Sequence, residues 1–234
     1  MSQLAPMPMS VVSVNAGLPR MVESHGRAVR TAIFKSAVAG PVAIRRLNLD
    51  GDRQADLSVH GGPDKAVYAY AAEHYDAWRA ELPEVDFPFG AFGENLTIAG
   101  LREDELAIGD RLRAGTAELI VRQPRIPCYK LGIRLGRDDI LKRFLNSDRS
   151  GVYFAVACEG VVEAGDAVIM LERDPDGMSV AAINRLYRER RSRLPTPARL
   201  AALQRAADLP SLPESWRAYF RERAARLSVS SPAS

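Results

Sequence analysis

The sequence predicts an α+β fold, mainly a β-barrel domain with flanking helices, followed by a small bundle of three helices. Between about residues 10 and 176, short β-rich runs alternate with Gly, Pro and Asp turns, and many short strands at this density favour a closed barrel over an open sheet. Between residues 177 and 227, apolar residues recur at helical spacing instead. We therefore expect a barrel domain at 10–176, a helical domain at 177–227 and a disordered tail at 228–234.

Six segments have the composition and the length of β-strands. Between them lie turn sequences such as Gly40-Pro41 and Gly165-Asp166, which interrupt regular structure. The predicted strands are residues 11–14, 28–34, 42–49, 119–121, 152–158 and 167–171.

Two helices are predicted beside the barrel. Residues 69–82 carry Tyr70, His74 and Trp78 at helical spacing and end before a proline, and residues 131–145 have an apolar face of their own. We interpret His74, among its aromatic neighbours, as part of a buried helix face and not as a catalytic group.

Three short helices are predicted in the C-terminal region. The first presents Val180, Ile183 and Leu186 on one face. Thr196 caps the second, which has a proline at its first position, and Pro213 opens the third. Short helices bury little surface alone, so we expect a bundle that docks on, or follows, the barrel domain.

The composition is that of an ordinary globular protein. Of 234 residues, 47% are hydrophobic and 26% are charged. No apolar run approaches the ~20 residues of a membrane-spanning helix, and the N-terminal residues lack the features of a signal peptide, so we expect a cytoplasmic protein with no membrane contact. Residues 178–227 hold eleven Arg, no Lys and four acidic residues, which raises the question of an acidic partner.

The two cysteines have different predicted surroundings. Cys158 alternates in step with Phe154 and Val156, so we expect it to face a core. Cys128 follows the predicted strand at 119–121, in a loop with two prolines and three cationic side chains. Cations favour the thiolate, which is the nucleophile and the soft metal ligand, whereas the alternative is a small buried hydrophobic residue. We expect both thiols to be free in a reducing compartment.

Two polar loops are candidates for ligand binding. In residues 60–65, adjacent glycines let backbone N–H groups approach an anion, so this loop is either a phosphate site or an ordinary turn. In residues 89–98, Glu94 and Asn95 are either buried polar groups that need partners or part of a loop that Asn95 caps.

Missing motifs exclude several common enzyme classes. The sequence has no NTPase phosphate loop, no dinucleotide fingerprint, no serine hydrolase elbow and no zinc Cys/His array, and it contains three His. Cys128 and the polar loops therefore remain as the candidates for chemistry.

Taken in their order along the chain, four segments resemble the MOSC-domain family, which is named after the C-terminal domain of molybdenum cofactor sulfurase. The resemblance covers about residues 11–227 and is strongest to the YiiM-like subgroup, in which a small three-helix domain follows the barrel. The segments are Phe34-Lys35, His60-Gly61-Gly62-Pro63-Asp64, Phe92-Gly93-Glu94-Asn95-Leu96 and Gln123-Pro124-Arg125-Ile126-Pro127-Cys128-Tyr129-Lys130-Leu131.

The resemblance implies that the chain binds the pterin-based molybdenum cofactor, molybdopterin with molybdenum. It implies a detoxifying reduction of N-hydroxylated compounds, such as hydroxylaminopurine bases, to amines. It further implies that Cys128 is the molybdenum ligand and that Lys35 and Asn95 are catalytic positions near it. The residues then expected to hold the cofactor's phosphate and pterin are His60, Gly61, Gly62, Arg53, Gln123, Arg125 and Lys130.

The expected reductase needs electrons from elsewhere. With two cysteines and no nucleotide fingerprint, the sequence shows no iron–sulfur or flavin module. We therefore expect a separate flavin or iron–sulfur donor protein, for which the Arg-rich helices are either a docking surface or simply a solvated basic face.

Two other functions compete with the reductase hypothesis. In one, Cys128 carries a persulfide and delivers sulfur for metal–sulfur cluster assembly. In the other, the basic helices form a nucleic-acid-binding module. We rank nucleic-acid binding lowest because the apolar positions of these helices are needed for packing.

Overall fold

The computed structural model describes residues 8–56, 60–189 and 196–229. The strands in these residues are β1 (Met9–Ala16), β2 (Arg20–Ser24), β3 (Arg27–Thr31), β4 (Ser36–Ala37), β5 (Val42–Ile44), β6 (Val67–Ala71), β7 (Leu96–Ala99), β8 (Arg111–Ala114), β9 (Ala117–Pro124), β10 (Val152–Cys158), β11 (Gly160–Val162) and β12 (Ala167–Glu172). The α-helices are α1 (Ala72–Glu81), α2 (Lys130–Leu135), α3 (Ile140–Asn146), α4 (Val180–Arg188), α5 (Pro197–Asp208) and α6 (Glu214–Val229), and Pro63–Lys65 form a 3₁₀ turn.

Seven strands close into a barrel. Their order is β12-β8-β9-β10-β6-β7-β1, and β1 pairs back to β12 through the partners Met9 and Val168. The β6–β7 pair is parallel and the other pairs are antiparallel. Closure leaves no free edge in these strands. The predicted α+β fold with a β-barrel is confirmed.

Strand β6 has two buried faces, and this explains a wrong prediction. Val67 and Ala69 point into the barrel core, whereas Tyr68 and Tyr70 belong to an aromatic cluster outside the barrel. A strand that is buried on both faces shows no polar alternation. Tyr70 therefore lies on a strand, and the helix predicted at 69–82 begins only at Ala72.

The helix predicted at 131–145 is in fact two short helices. Helix α2 ends at Leu135 because Gly136 adopts a left-handed conformation with φ of 64°, the backbone geometry that commonly terminates helices. Helix α3 starts after Asp139. Both helices pack against the aromatic cluster through side chains such as Leu131 and Phe144.

Two predicted strands are shorter than expected and lie outside the barrel. The 28–34 segment supplies only β3, which pairs with β2 in a separate hairpin. The 42–49 segment supplies only β5, which pairs with β11. The residues after β3, including Lys35, are consequently free to form the rim of a cavity described below.

The predicted three-helix region is confirmed. The Thr196 hydroxyl accepts a hydrogen bond of 3.2 Å from the backbone N–H of Arg199, as expected of the cap of α5. Val180, Leu203 and Phe220 belong to the same apolar cluster as the barrel interior, so the helices dock on the barrel. The domain limits at 10–176 and 177–227 stay predictions.

Two further predictions concern the chain's ends and its second cysteine. Residues 228 and 229 belong to α6 and not to a disordered tail, and residues 230–234 of that predicted tail lie outside the described residues. Cys158 is exposed, contrary to the prediction that it faces a core. A register shift after Val156 reverses the expected alternation at the end of β10. Within the described residues, no helix is both long and apolar enough to cross a bilayer.

Candidate functional site

A cavity opens where several loops meet at one side of the barrel. It encloses about 590 Å³, its open mouth included. Its walls come from the segment after β3, the loop after β5, the turn before β6, the loop before β7 and the loop after β9, with Tyr68 of β6 and Tyr153 of β10. Seven of the residues predicted for the site line it: Lys35, Arg53, His60, Asn95, Arg125, Cys128 and Lys130.

Cys128 stands in the cavity wall beside His60. Strand β9 ends at Pro124, and the Cys128 carbonyl accepts a bond of 3.0 Å from the N–H of Leu131 at the start of α2. The His60 Nε2 lies 3.3 Å from the Cys128 Sγ. Burial, followed by the charges of Lys130 and Arg125, lowers the pKa of His60 below its ordinary value of 6.5. The imidazole is therefore neutral at pH 7.

Asp52 links the two polar residues predicted to lie near the cysteine. Its Oδ1 accepts a hydrogen bond from the Lys35 ammonium, and its Oδ2 accepts one of 3.0 Å from the Asn95 side-chain amide. The Lys35 and Asp52 side chains are 9% and 1% exposed. Burial lowers the pKa of Lys35, and the neighbouring Asp52 carboxylate opposes this effect. The three residues thus form one buried polar network.

Asn95 is fixed from both sides. Its side-chain oxygen accepts a bond of 3.1 Å from the Tyr68 N–H, and its own N–H donates to the Tyr68 carbonyl at 2.7 Å. It is therefore a buried, fully bonded group, and of the two alternatives for the 89–98 loop the buried one is correct.

Glu94 anchors the loop behind the site. It accepts bonds from the Tyr75 hydroxyl, from the Gly90 N–H at 2.7 Å and from the Thr97 hydroxyl at 3.0 Å. Burial raises the pKa of Glu94, and these donors oppose the rise. A carboxylate satisfied in this way holds the chain, so we assign Glu94 a structural task.

The cavity is rich in positive charge. Among its lining residues, Lys35, Arg53, Lys65, Arg125 and Lys130 face one acidic residue, Asp52. The Arg125 guanidinium is buried, donates to the Phe92 carbonyl and lies 4.8 Å from the centre of the Tyr68 ring. Such a concentration of cations around a concave surface favours an anionic ligand.

A second cavity adjoins the first at Cys128. It shares His60, Lys65, Cys128 and Tyr153 with the first cavity. Gln123, predicted for the cofactor site, lines only this second cavity. Gly61 and Gly62, also predicted for that site, lie in the turn next to His60 but line neither cavity.

Sequence reasoning missed Asp52 as a site residue. Its signal was present in the Asp-Gly-Asp turn at 50–52, but its separation from Lys35 by 17 positions in the sequence concealed the contact. It also missed Tyr153, which is on β10 and borders both cavities. His74, interpreted as a packing residue, bonds the Glu103 carboxylate at 2.9 Å and lines neither cavity.

Comparison with known sequences decides the family. The MOSC domain profile matches residues 56–169, and the YiiM-like 3-alpha helix domain profile matches residues 196–226. The chain is 40% identical to the uncharacterized protein YflK of Bacillus subtilis over 219 aligned residues. These residues are 93% of this chain and 96% of YflK. The chain belongs to the MOSC-domain family, in its YiiM-like branch.

Two further similar proteins agree with this assignment. The crystal structure of YiiM from Geobacillus stearothermophilus superposes with a TM-score of 0.75 at 38% identity, covering 93% of this chain and all of that one. A protein of Gibberella moniliformis named "Reductase" is 36% identical over 188 residues, which are 79% of this chain and 33% of that protein. The MOSC-family resemblance seen in the four segments is thereby confirmed.

Proposed function

We propose that this MOSC-family chain binds the molybdenum cofactor in the cationic cavity and reduces N-hydroxylated compounds to amines. The observation that carries the proposal is that Cys128, the one thiol in the cavity, stands in a wall with five Lys and Arg side chains. A soft thiolate ligand and an anion-binding surface are what a metal with a phosphate-bearing organic ligand requires. A relative named a reductase supports the same direction.

The residues present fit a cofactor that brings metal ligands of its own. Within the described residues, no group of three or more His, Cys, Asp and Glu side chains is arranged to hold a metal ion. A single thiol is therefore a sensible protein contribution only if the organic part of the cofactor supplies the other ligands. The cationic groups that would hold its phosphate are Arg53, Arg125 and Lys130, together with Lys65, which belongs to the glycine loop considered as a phosphate site from the sequence.

The cofactor, when bound, supplies the two electrons and the metal centre at which the N–O bond breaks. The overall change is R–NHOH plus two electrons and two protons to R–NH₂ plus water. Lys35 faces this cavity with a pKa lowered by burial, so its ammonium is a better acid than an exposed lysine. We assign it delivery of a proton to the departing oxygen, while Asp52, itself bonded by the Asn95 amide, holds it in position.

The electrons come, in this proposal, from a separate flavin or iron–sulfur protein. Exposed arginines on α6 are available for electrostatic encounter, since Arg221 and Arg226 are 58% and 75% exposed. Both also pair with acidic residues of the same helix, Glu214 and Glu222. This internal pairing weakens the case for nucleic-acid binding, which needs many uncompensated cations.

The proposal is tested by expression in a host that makes the cofactor. Molybdenum per chain, the pterin content and the rate of hydroxylamine reduction with a chemical electron donor are measured together. Cys128→Ser loses bound molybdenum and turnover but keeps the native melting temperature. The matched control is Cys158→Ser, because Cys158 is exposed and lies outside both cavities; it keeps metal and activity.

Two outcomes would contradict the proposal. One is undiminished turnover in Cys128→Ser, which removes the thiol from the mechanism. The other is a metal-free, inactive native protein from the competent host. A labile sulfur atom on Cys128 in that metal-free protein would instead support the sulfur-carrier function.

A further inference from the structure

The second cavity, which adjoins the cationic first cavity at Cys128, has an aromatic wall. Helix α4 contributes Tyr187, and the first turns of α6 contribute Trp216 and Tyr219. The ring centres of Tyr187 and Trp216 lie 5.5 Å apart, and so do those of Tyr187 and Tyr219. All three side chains are partly exposed. Three aromatic rings left half-covered in one concave surface are characteristic of a binding site.

Another part of the wall is formed by the segment that carries the cysteine. Gln123, Ile126 and Pro127 line it, and Cys128 and Tyr153 lie where the two cavities meet. Among the lining residues, Lys65 is the only Lys or Arg of this second cavity, compared with five in the first. The two sides of Cys128 therefore differ in chemistry. One side suits an anion, and the other suits an uncharged planar group.

We infer that Tyr187, Trp216 and Tyr219 form a subsite for a planar heteroaromatic ring of the substrate, next to Cys128. Aromatic side chains stack on such rings, and the Gln123 amide and the Ser215 hydroxyl offer hydrogen-bonding groups for ring nitrogens. The cavity, about 420 Å³ without its open mouth, is large enough for one ring system. This inference rests on the proposed reductase and makes the C-terminal helices a determinant of its substrate specificity.

Binding of adenine to the full-length protein tests the subsite without turnover. Isothermal titration calorimetry gives the affinity for adenine, a planar heteroaromatic amine, and for cyclohexylamine, an amine with a non-planar ring. We expect saturable binding of adenine only. Trp216 fluorescence is quenched on binding, while Trp78, which is fully buried, contributes a constant background.

Matched variants separate stacking from simple apolar contact. Trp216→Leu weakens adenine binding about tenfold, a size typical of the loss of one stacking partner. Trp216→Phe keeps the ring and stays within about twofold of the native affinity. Tyr187→Leu provides an independent test should Trp216→Leu fail to fold. Glu222→Ala, an exposed change on the same helix, is the control.

Kinetics of the cofactor-loaded enzyme distinguish this inference from the proposed function. Trp216→Leu should lower kcat/KM for 6-hydroxylaminopurine about tenfold more than for hydroxylamine, which has no ring. A native enzyme that reduces both compounds but shows no adenine binding, or equal losses for both substrates in Trp216→Leu, overturns the subsite. A native protein that binds adenine through Trp216 yet reduces neither compound supports the subsite and contradicts the reductase.

Discussion

The imidazole Nε2 of His60 lies 3.3 Å from the Sγ of Cys128, although the two residues are 68 positions apart in the sequence. The contact joins the turn before β6 to the loop after β9. Burial and the nearby charge of Lys130 lower the pKa of His60, so the ring carries no charge at pH 7 and acquires one only in acid. The thiol thus lies against a group whose charge depends on pH.

A pH dependence follows from this contact. Because the folded protein favours the neutral ring, His60 contributes stability above its ordinary pKa of 6.5, and this contribution is lost as the pH falls through the lowered value. In His60→Gln the side chain cannot titrate. We therefore expect the free energy of unfolding to fall less steeply between pH 7 and pH 5 in the variant than in the native protein. Equal slopes in urea titrations would contradict this.

The buried pair of Lys35 and Asp52 predicts a large effect of one substitution. Asp52→Asn leaves the Lys35 ammonium buried without its carboxylate, and breaking such a pair typically costs about 3–5 kcal/mol. The loss should shrink as the pH rises, because burial already lowers the pKa of Lys35 and the uncharged amine needs no counterion. Urea unfolding of both proteins at pH 7 and pH 10 measures this.

The double variant Lys35→Met with Asp52→Asn is the control for this pair. It removes both charges, so most of the lost stability should return. Turnover should not return, because the proposed proton donor is absent. A double variant that is as unstable as Asp52→Asn alone would show that the uncompensated charge is not the cause.

Tyr75→Phe tests the anchor of the loop behind the site. The variant removes a hydroxyl that donates to Glu94, and a hydrogen bond to a charged group is worth about 1.5–3 kcal/mol. Burial holds the pKa of Glu94 above its ordinary 4.5, and the Tyr75 hydroxyl opposes this rise. Without the hydroxyl the pKa rises further, so the destabilisation should be larger at pH 7 than at pH 4.

Tyr68→Phe serves as the matched control for that variant. The Tyr68 hydroxyl donates to the uncharged carbonyl of Ser150 at 2.9 Å. The hydroxyl also accepts a hydrogen bond from the Arg125 guanidinium, which is charged at both pH values, so its loss should cost about 1–3 kcal/mol with no change between them. Differential scanning calorimetry of the two variants at both pH values distinguishes them, and a similar pH dependence in both would contradict the role given to Glu94.

Helices and strands were predictable wherever the local sequence showed a clear pattern of one kind of element, such as alternation of apolar residues or a helix cap. The segment at 152–158 alternates because one side of β10 is buried, and α5 has both a capping threonine and a first-position proline. The failure at Tyr70 has the opposite cause. Since both faces of β6 are covered, the pattern lost its period of two, and the tyrosine was assigned to the helix that follows.

Only those site residues that belong to a recognisable sequence motif were predictable. Cys128, His60 and Asn95 belong to such motifs and line one cavity. Asp52 has an ordinary turn sequence around it, and its importance comes from distances to Lys35 and Asn95 that only folding creates. The aromatic wall was equally hidden, because Trp216 and Tyr219 have the spacing of a helix that simply packs.

Gly90→Ala should disturb the site through the backbone of Lys35. Gly90 has φ of 88°, and an added Cβ would lie 2.9 Å from the Lys35 carbonyl oxygen. The strained backbone and the collision together should cost about 2 kcal/mol or more, and turnover should fall because Lys35 must move.

Gly40→Ala is the matched control, since Gly40 has φ of 75° but nothing within 4 Å of its added Cβ. That variant bears the backbone strain alone, so its loss of stability should be about 1–2 kcal/mol with turnover unchanged. Thermal unfolding and hydroxylamine reduction measured on both proteins make the comparison, and equal turnover in the two variants would show that the approach of Gly90 to Lys35 has no part in positioning the ammonium.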